Sequence, residues 1–85
     1  MPDALIDRGM ALSAGNNYDR AIAEFSAAIK LAPDNARAYY GRGLAYALSG
    51  RREEGRADLA KAVGIEPNNQ DYRSALSDVD RSRAK

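Results

Sequence analysis

Apolar residues recur three and four positions apart along most of this chain of 85 residues. Near the start, Leu5, Gly9 and Leu12 follow this spacing, and Ile22 and Phe25 take it up again further on. Residues three and four apart lie on one face of an α-helix, so the pattern predicts amphipathic helices. No run alternates between apolar and polar residues, so the sequence predicts no strand and an all-α fold.

Two kinds of turn signal divide this pattern. The segments Gly15-Asn16-Asn17 and Ser49-Gly50 contain residues that tolerate the left-handed conformation found at helix ends. Pro33 and Pro67 disfavour helix at the residue before them, so each ends a unit. The sequence therefore predicts five helices, over residues 3–14, 18–31, 36–48, 52–65 and 70–83.

The second half of the chain repeats the first at a fixed offset in sequence. We call this offset, the number of residues from Pro33 to Pro67, the repeat period. Pro33-Asp34-Asn35 returns as Pro67-Asn68-Asn69, and Gly9 falls on Gly43. Apolar residues of similar size coincide under the same shift, whereas the polar positions drift. A fixed period of roughly 20–50 residues is typical of an array of stacked repeats.

These residues resemble the tetratricopeptide repeat (TPR), a helix–turn–helix unit of about 34 residues. The resemblance implies one domain over residues 1–85, an all-α right-handed solenoid of two TPR hairpins and a capping helix. Repeat one would cover 2–35, repeat two 36–69 and the capping helix 70–85. The structural positions of the repeat fall on Gly9, Leu12, Ala21, Phe25, Ala28, Pro33, Tyr39, Gly43, Tyr46, Leu59, Ala62 and Pro67.

The chain departs from the repeat pattern in its fourth helix. Gly55 stands where the family has alanine, and Gly64 follows near the helix end. Glycine inside a helix costs about 1 kcal/mol relative to alanine. We therefore predict that this helix is the weakest arm of the two hairpins.

The resemblance also implies a binding surface. In the family, the first helix of each hairpin lines a groove that holds an extended peptide or a partner helix. We predict that partner side chains bury against the apolar groove positions, with Tyr40 as the main anchor. Asp3 and Arg37 would set the orientation from the rim. The predicted groove positions are Asp3, Ile6, Met10, Ser13, Ala14, Arg37, Tyr40, Leu44, Ala47 and Leu48.

Two other occupants of the groove stay open from the sequence alone. The closing helix or a second copy of the chain could fill it, because such arrays need about three repeats for stability. Two hairpins and a cap lie at that border, so a homodimer or an exchanged hairpin is an alternative. The chain could also be a designed protein or a piece of a longer array.

Some members of the family grip the C-terminal carboxylate of heat-shock chaperones with lysine, arginine and asparagine side chains. None of the corresponding residues here is basic, and an aspartate would repel a carboxylate. We therefore predict no clamp of this kind. The corresponding positions are Ile6, Met10, Gly41, Ser74 and Asp78.

The charge balance argues against nucleic-acid and membrane partners. The chain has 13 basic and 12 acidic side chains and a net charge of +1, too little for a long-range field. Arginines 51, 52 and 56 are interleaved with Glu53, Glu54 and Asp58, which predicts a solvated face of mixed sign. No apolar run approaches the roughly 20 residues of a membrane span.

The chain also lacks the residues that most enzymes and metal sites need. It contains no histidine and no cysteine, which removes the usual general base, the commonest metal ligand and any thiolate site. We therefore expect no enzymatic activity, no metal and no cofactor. The absence of cysteine fits a reducing compartment, and we expect a cytoplasmic location.

Overall fold

The computed structural model describes residues 1–83 and contains no strand in that range. The helix bounds match the prediction, except that α1 begins one residue earlier, at a proline whose missing N–H suits a first turn. The end of the predicted capping helix, residues 84–85, lies outside the described residues. The helices are α1 (Pro2–Ala14), α2 (Tyr18–Leu31), α3 (Ala36–Leu48), α4 (Arg52–Ile65) and α5 (Gln70–Arg83).

The helices form two layers. Each helix packs against the next one along the chain, and α3 also contacts both α1 and α5. Within residues 1–83, α2 and α4 do not come within contact distance of each other. The layer of α1, α3 and α5 is therefore the tighter one, and it forms the inner face of the solenoid.

The recurring proline–asparagine segments start helices. Asn35 accepts a hydrogen bond from the backbone N–H of Ala38 at 3.3 Å, and Asn69 accepts one from Tyr72 at 3.1 Å. Each side chain thus satisfies a free donor in the first turn of α3 or α5. The same capping chemistry explains why this segment returns after one repeat period.

The largest buried side chain is the ring of Phe25, which is fully buried between three helices. The ring reaches from α2 to Gly9 of α1 and Gly41 of α3. A Cβ atom added at Gly9 would lie 2.8 Å from the ring, and one added at Gly41 would lie 2.5 Å from Cζ. Both glycines are therefore required by the packing of this ring.

The second hairpin closes on two glycines of its own. A Cβ atom at Gly43 would lie 2.8 Å from Leu59, and one at Gly55 would lie 2.7 Å from the carbonyl oxygen of Gly43. The backbones of α3 and α4 therefore meet at Gly55. The departure from the family pattern at this position allows a close helix crossing.

Two substitutions in α4 should have opposite effects on stability. Gly64 is exposed, and apart from its two neighbours and the backbone of its own helix, no described atom lies within 4 Å of a Cβ added there. Gly64→Ala should therefore raise the free energy of unfolding by about 0.5–1 kcal/mol through helix propensity. Gly55→Ala should lower it by about 1–3 kcal/mol, because the methyl group meets backbone atoms that cannot move independently.

Urea denaturation of the two variants and the wild type measures both effects. Each variant makes the same chemical change in the same helix and so serves as the control for the other. An equal gain in stability from both would show that the crossing at Gly55 has room for a methyl group.

Candidate partner-binding groove

An open cavity of about 480 Å³ lies between α3 and α5 on the inner face. We call it the groove. Four predicted positions line its α3 wall, namely Tyr40, Leu44, Ala47 and Leu48. The remaining lining residues are Asp71, Ser74, Ala75, Asp78 and Val79 of α5, and Arg52 at the start of α4.

The predicted positions on α1 do not line this groove. Ile6 is fully buried in the core beside Ala21 and Phe25, so the prediction that it contacts a partner is wrong. Met10 is half-buried against the same core cluster. The α1 side of the inner face is therefore largely closed by the chain's own packing.

The remaining predicted positions also lie away from the groove. Arg37 donates a hydrogen bond to Asp7 at 3.0 Å, which ties α3 to α1. Asp3 and Ala14 are exposed, and Ser13 is partly buried with no hydrogen-bond partner for its hydroxyl among the described residues. The charged side chains that border the groove are instead Arg52, Asp71 and Asp78.

The sequence does carry a signal for the α5 wall. A shift by one repeat period places Tyr40 on Ser74 and Leu44 on Asp78, and both pairs line the groove. Treating α5 as the first helix of a third unit would therefore have identified this wall. The interpretation of α5 as a cap alone omits these residues from the predicted site.

An aromatic pair joins the two walls. The ring centroids of Tyr40 and Tyr72 are 4.7 Å apart, at an interplanar angle of 34°. Burial raises the pKa of both hydroxyl groups; the carboxylate of Asp71 adds to this at Tyr40, and that of Glu66 does so at Tyr72, where the charge of Arg37 opposes it. Tyr40 therefore also holds α5 in place, so its removal would disturb packing as well as the groove.

Arg42, in the middle of α3, forms hydrogen bonds to both α4 and α2. Arg42 donates two hydrogen bonds to Asp58, at 2.7 and 3.0 Å, and a third to Ser26 at 3.1 Å. Its guanidinium group lies 6.0 Å from the ring centroid of Tyr39 and 5.8 Å from that of Tyr46. Asp58 is buried, so the prediction that it lies on a solvated face is wrong.

The hydrogen bonds to Asp58 raise the pKa of Arg42, which keeps the guanidinium group charged. The first hairpin has an equivalent ion pair one repeat period earlier, in which Arg8 lies 2.8 Å from Glu24. Two of the three arginines of the mixed-charge face also have acidic partners. Arg51 lies 3.9 Å from Asp19, and Arg56 lies 2.5 Å from Asp80.

Within residues 1–83, no group of three or more acidic side chains is arranged to hold a metal ion. In the same range, no helix has both the length and the apolar character needed to cross a bilayer.

Two family models match this chain. One, described as TPR repeat, matches residues 9–50, and the other, described as tetratricopeptide repeat, matches residues 36–69. The chain belongs to the tetratricopeptide repeat family. It is 37% identical over 57 residues to tetratricopeptide repeat protein 36 of Caenorhabditis elegans. That match covers 67% of this chain and 32% of the relative, so the TPR chain spans about a third of this curated protein's length.

Solved structures of TPR domains share the fold. The first TPR domain of Spaghetti (RPAP3), bound to the HSP90 peptide SRMEEVD, has a TM-score of 0.94 and 24% identity, covering 100% of this chain and 68% of that one. The Sgt2 TPR domain of Aspergillus fumigatus has a TM-score of 0.93 and 29% identity, covering 98% and 55%. The predicted all-α TPR solenoid is confirmed. The predicted absence of a chaperone clamp gains no support from these comparisons.

Proposed function

We propose that this TPR chain is a protein-interaction module that buries apolar side chains of a peptide or partner helix in the groove between α3 and α5. The observation that carries the proposal is the open apolar cavity beside Leu48. Leu48 is 64% exposed. Concave apolar surface that a protein does not cover itself is typical of binding sites.

The α3 wall would supply most of the binding energy. Leu44 and Leu48 lie one helical turn apart, and Val79 faces them from α5. Burial of one leucine-sized side chain contributes about 1.5–3 kcal/mol, so two would contribute about 3–6 kcal/mol. The loss of translational and rotational freedom on association offsets part of this gain, so further contacts along the groove are needed for tight binding.

A matched pair of leucines tests the proposal. Leu48 and Leu31 are both exposed, at 64% and 59%, and both lie at the end of a helix, but only Leu48 lines the groove. Peptides should first be selected on the wild type from a displayed random library. Leu48→Asp should then reduce their affinity at least tenfold, because an aspartate replaces an apolar contact, and Leu31→Asp should bind like the wild type.

Titration of both variants with a selected peptide gives the result directly. Equal affinity for the two variants would contradict binding in the groove, and failure to select any peptide would contradict the interaction function itself. Circular dichroism would show that both variants remain folded.

Two further measurements decide between the possible occupants. Sedimentation at several concentrations should give a monomer with a free groove, whereas a dimer that Leu48→Asp dissociates would identify a second copy as the occupant. Titration with the peptide SRMEEVD tests the predicted absence of chaperone-tail binding, and measurable affinity would overturn that prediction.

A further inference from the structure

The two walls of the groove differ in chemistry. The α3 wall is apolar apart from the hydroxyl of Tyr40, whereas the α5 wall carries the carboxylates of Asp71 and Asp78. These two aspartates are seven residues apart and therefore lie on one face of α5, roughly 10 Å from each other along the helix axis. A segment bound in the groove would lie between an apolar surface and a row of negative charge.

Neither carboxylate is strongly neutralised by the chain itself. Asp71 forms no ion pair with any residue whose side chain the structure describes. Asp78 pairs with Arg81 on the same helix, but that arginine is 74% exposed and lines a separate cavity on another face of α5. An exposed pair of this kind contributes little, so both charges remain available to a partner.

Among the residues that line the groove, the only positive charge, that of Arg52, lies at one end, and Arg37 near the other end is paired with Asp7. Arg52 comes four residues after Leu48, the last residue of the α3 wall. Asp71 lies beside Tyr40, near the opposite end of the groove. From Tyr40 to Leu48 the helix advances roughly 12 Å. A cation on the partner would therefore be attracted along α5 from Asp71 to Asp78 and repelled only beyond Leu48, at Arg52.

We propose that the groove selects a cationic amphipathic segment of another protein, with apolar side chains on Leu44 and Leu48 and a lysine or arginine beside Asp71 and Asp78. This inference rests on the proposed function and names the chemistry of its partner. Acidic segments are disfavoured, because their carboxylates would lie against those of α5.

Two synthetic peptides with the same apolar positions, one with lysines and one with glutamates between them, test the inference. Fluorescence anisotropy measures their affinity for the wild type, for Asp71→Asn/Asp78→Asn and for Asp34→Asn. Asp34 is exposed in the turn before α3 and serves as the control. The lysine peptide should bind the wild type more tightly, and the double variant should weaken it about two- to five-fold per carboxylate. Asp34→Asn should have no effect.

Charge reversal supplies an independent readout. Asp71→Lys/Asp78→Lys should prefer the glutamate peptide, and added salt should reduce each preference because these charges are exposed. Equal or tighter binding of the glutamate peptide, or of SRMEEVD, to the wild type would overturn the inference, as would failure of the lysine peptide to bind. Charge-independent binding that is lost in Leu48→Asp would overturn the inference alone and leave the proposed function standing.

Discussion

Phe25→Ala is expected to lower the free energy of unfolding by about 3–5 kcal/mol. The ring is fully buried, and its neighbours at Gly9 and Gly41 have no side chains that could move into the space. The substitution therefore removes apolar contacts and leaves a cavity. A chain of this length has a total stability of about 4–13 kcal/mol, so the substitution removes a large share of it and, at the low end of that range, would unfold the protein at room temperature.

Chemical denaturation followed by circular dichroism measures this loss. Phe25→Leu should cost less than Phe25→Ala, because it keeps part of the apolar volume. Leu31→Ala is the control for apolar truncation at an exposed site and should change stability by less than about 0.5 kcal/mol. A small effect of Phe25→Ala would mean that α1 and α3 collapse onto the vacated space.

Asp58→Ala is expected to lower the free energy of unfolding by a similar amount, about 3–5 kcal/mol. Arg42 would lose two short hydrogen bonds while its guanidinium group stays partly buried, with the side chain only 22% exposed. Leaving Arg42 charged but unpaired in that environment lowers stability much more than removing both charges would.

The first hairpin provides the matched control. Glu24→Ala removes the acid from the equivalent pair, but its partner Arg8 is 63% exposed and can be hydrated. The loss there should stay below about 1 kcal/mol. Replacing both charges, as Arg42→Met/Asp58→Leu, should recover most of the stability lost in Asp58→Ala. Equal losses in the two hairpins would contradict the role assigned to burial.

The helices and the repeat could be predicted because their signals are local. Pro33 and Pro67 stop a helix wherever they occur, and Asn35 and Asn69 cap the next one with their own side chains. These effects need only a few neighbouring residues. Their positions can therefore be identified without knowledge of the packing.

The groove could be predicted only in part, because its opening depends on contacts between helices. Ile6 and Tyr40 occupy equivalent positions, yet Ile6 is fully buried and Tyr40 is half-exposed. The difference follows from what lies between neighbouring inner helices. Ala38 packs with Ile6 between α1 and α3, whereas the equivalent residue Tyr72 stacks on Tyr40 between α3 and α5. A large ring in place of a methyl group keeps the second pair of helices apart.

The same kind of reason applies to Asp58 and Gly55. Both look like surface or helix-weakening residues in the sequence, because an aspartate and a glycine are common at exposed positions. Asp58 is buried because Arg42 reaches it from α3, and Gly55 is buried because α3 crosses α4 there. Each depends on a residue of another helix that no local pattern identifies.

The position of Phe25 has a consequence for how the chain unfolds. Its ring comes from the first hairpin and is seated on a glycine of the second, so neither hairpin can open fully without exposing it. Repeat arrays can lose their units one after another when the interfaces between them are weak. Here a fully buried side chain, together with the Arg37–Asp7 and Arg42–Ser26 hydrogen bonds, couples the two units, and the protein should melt in one cooperative transition.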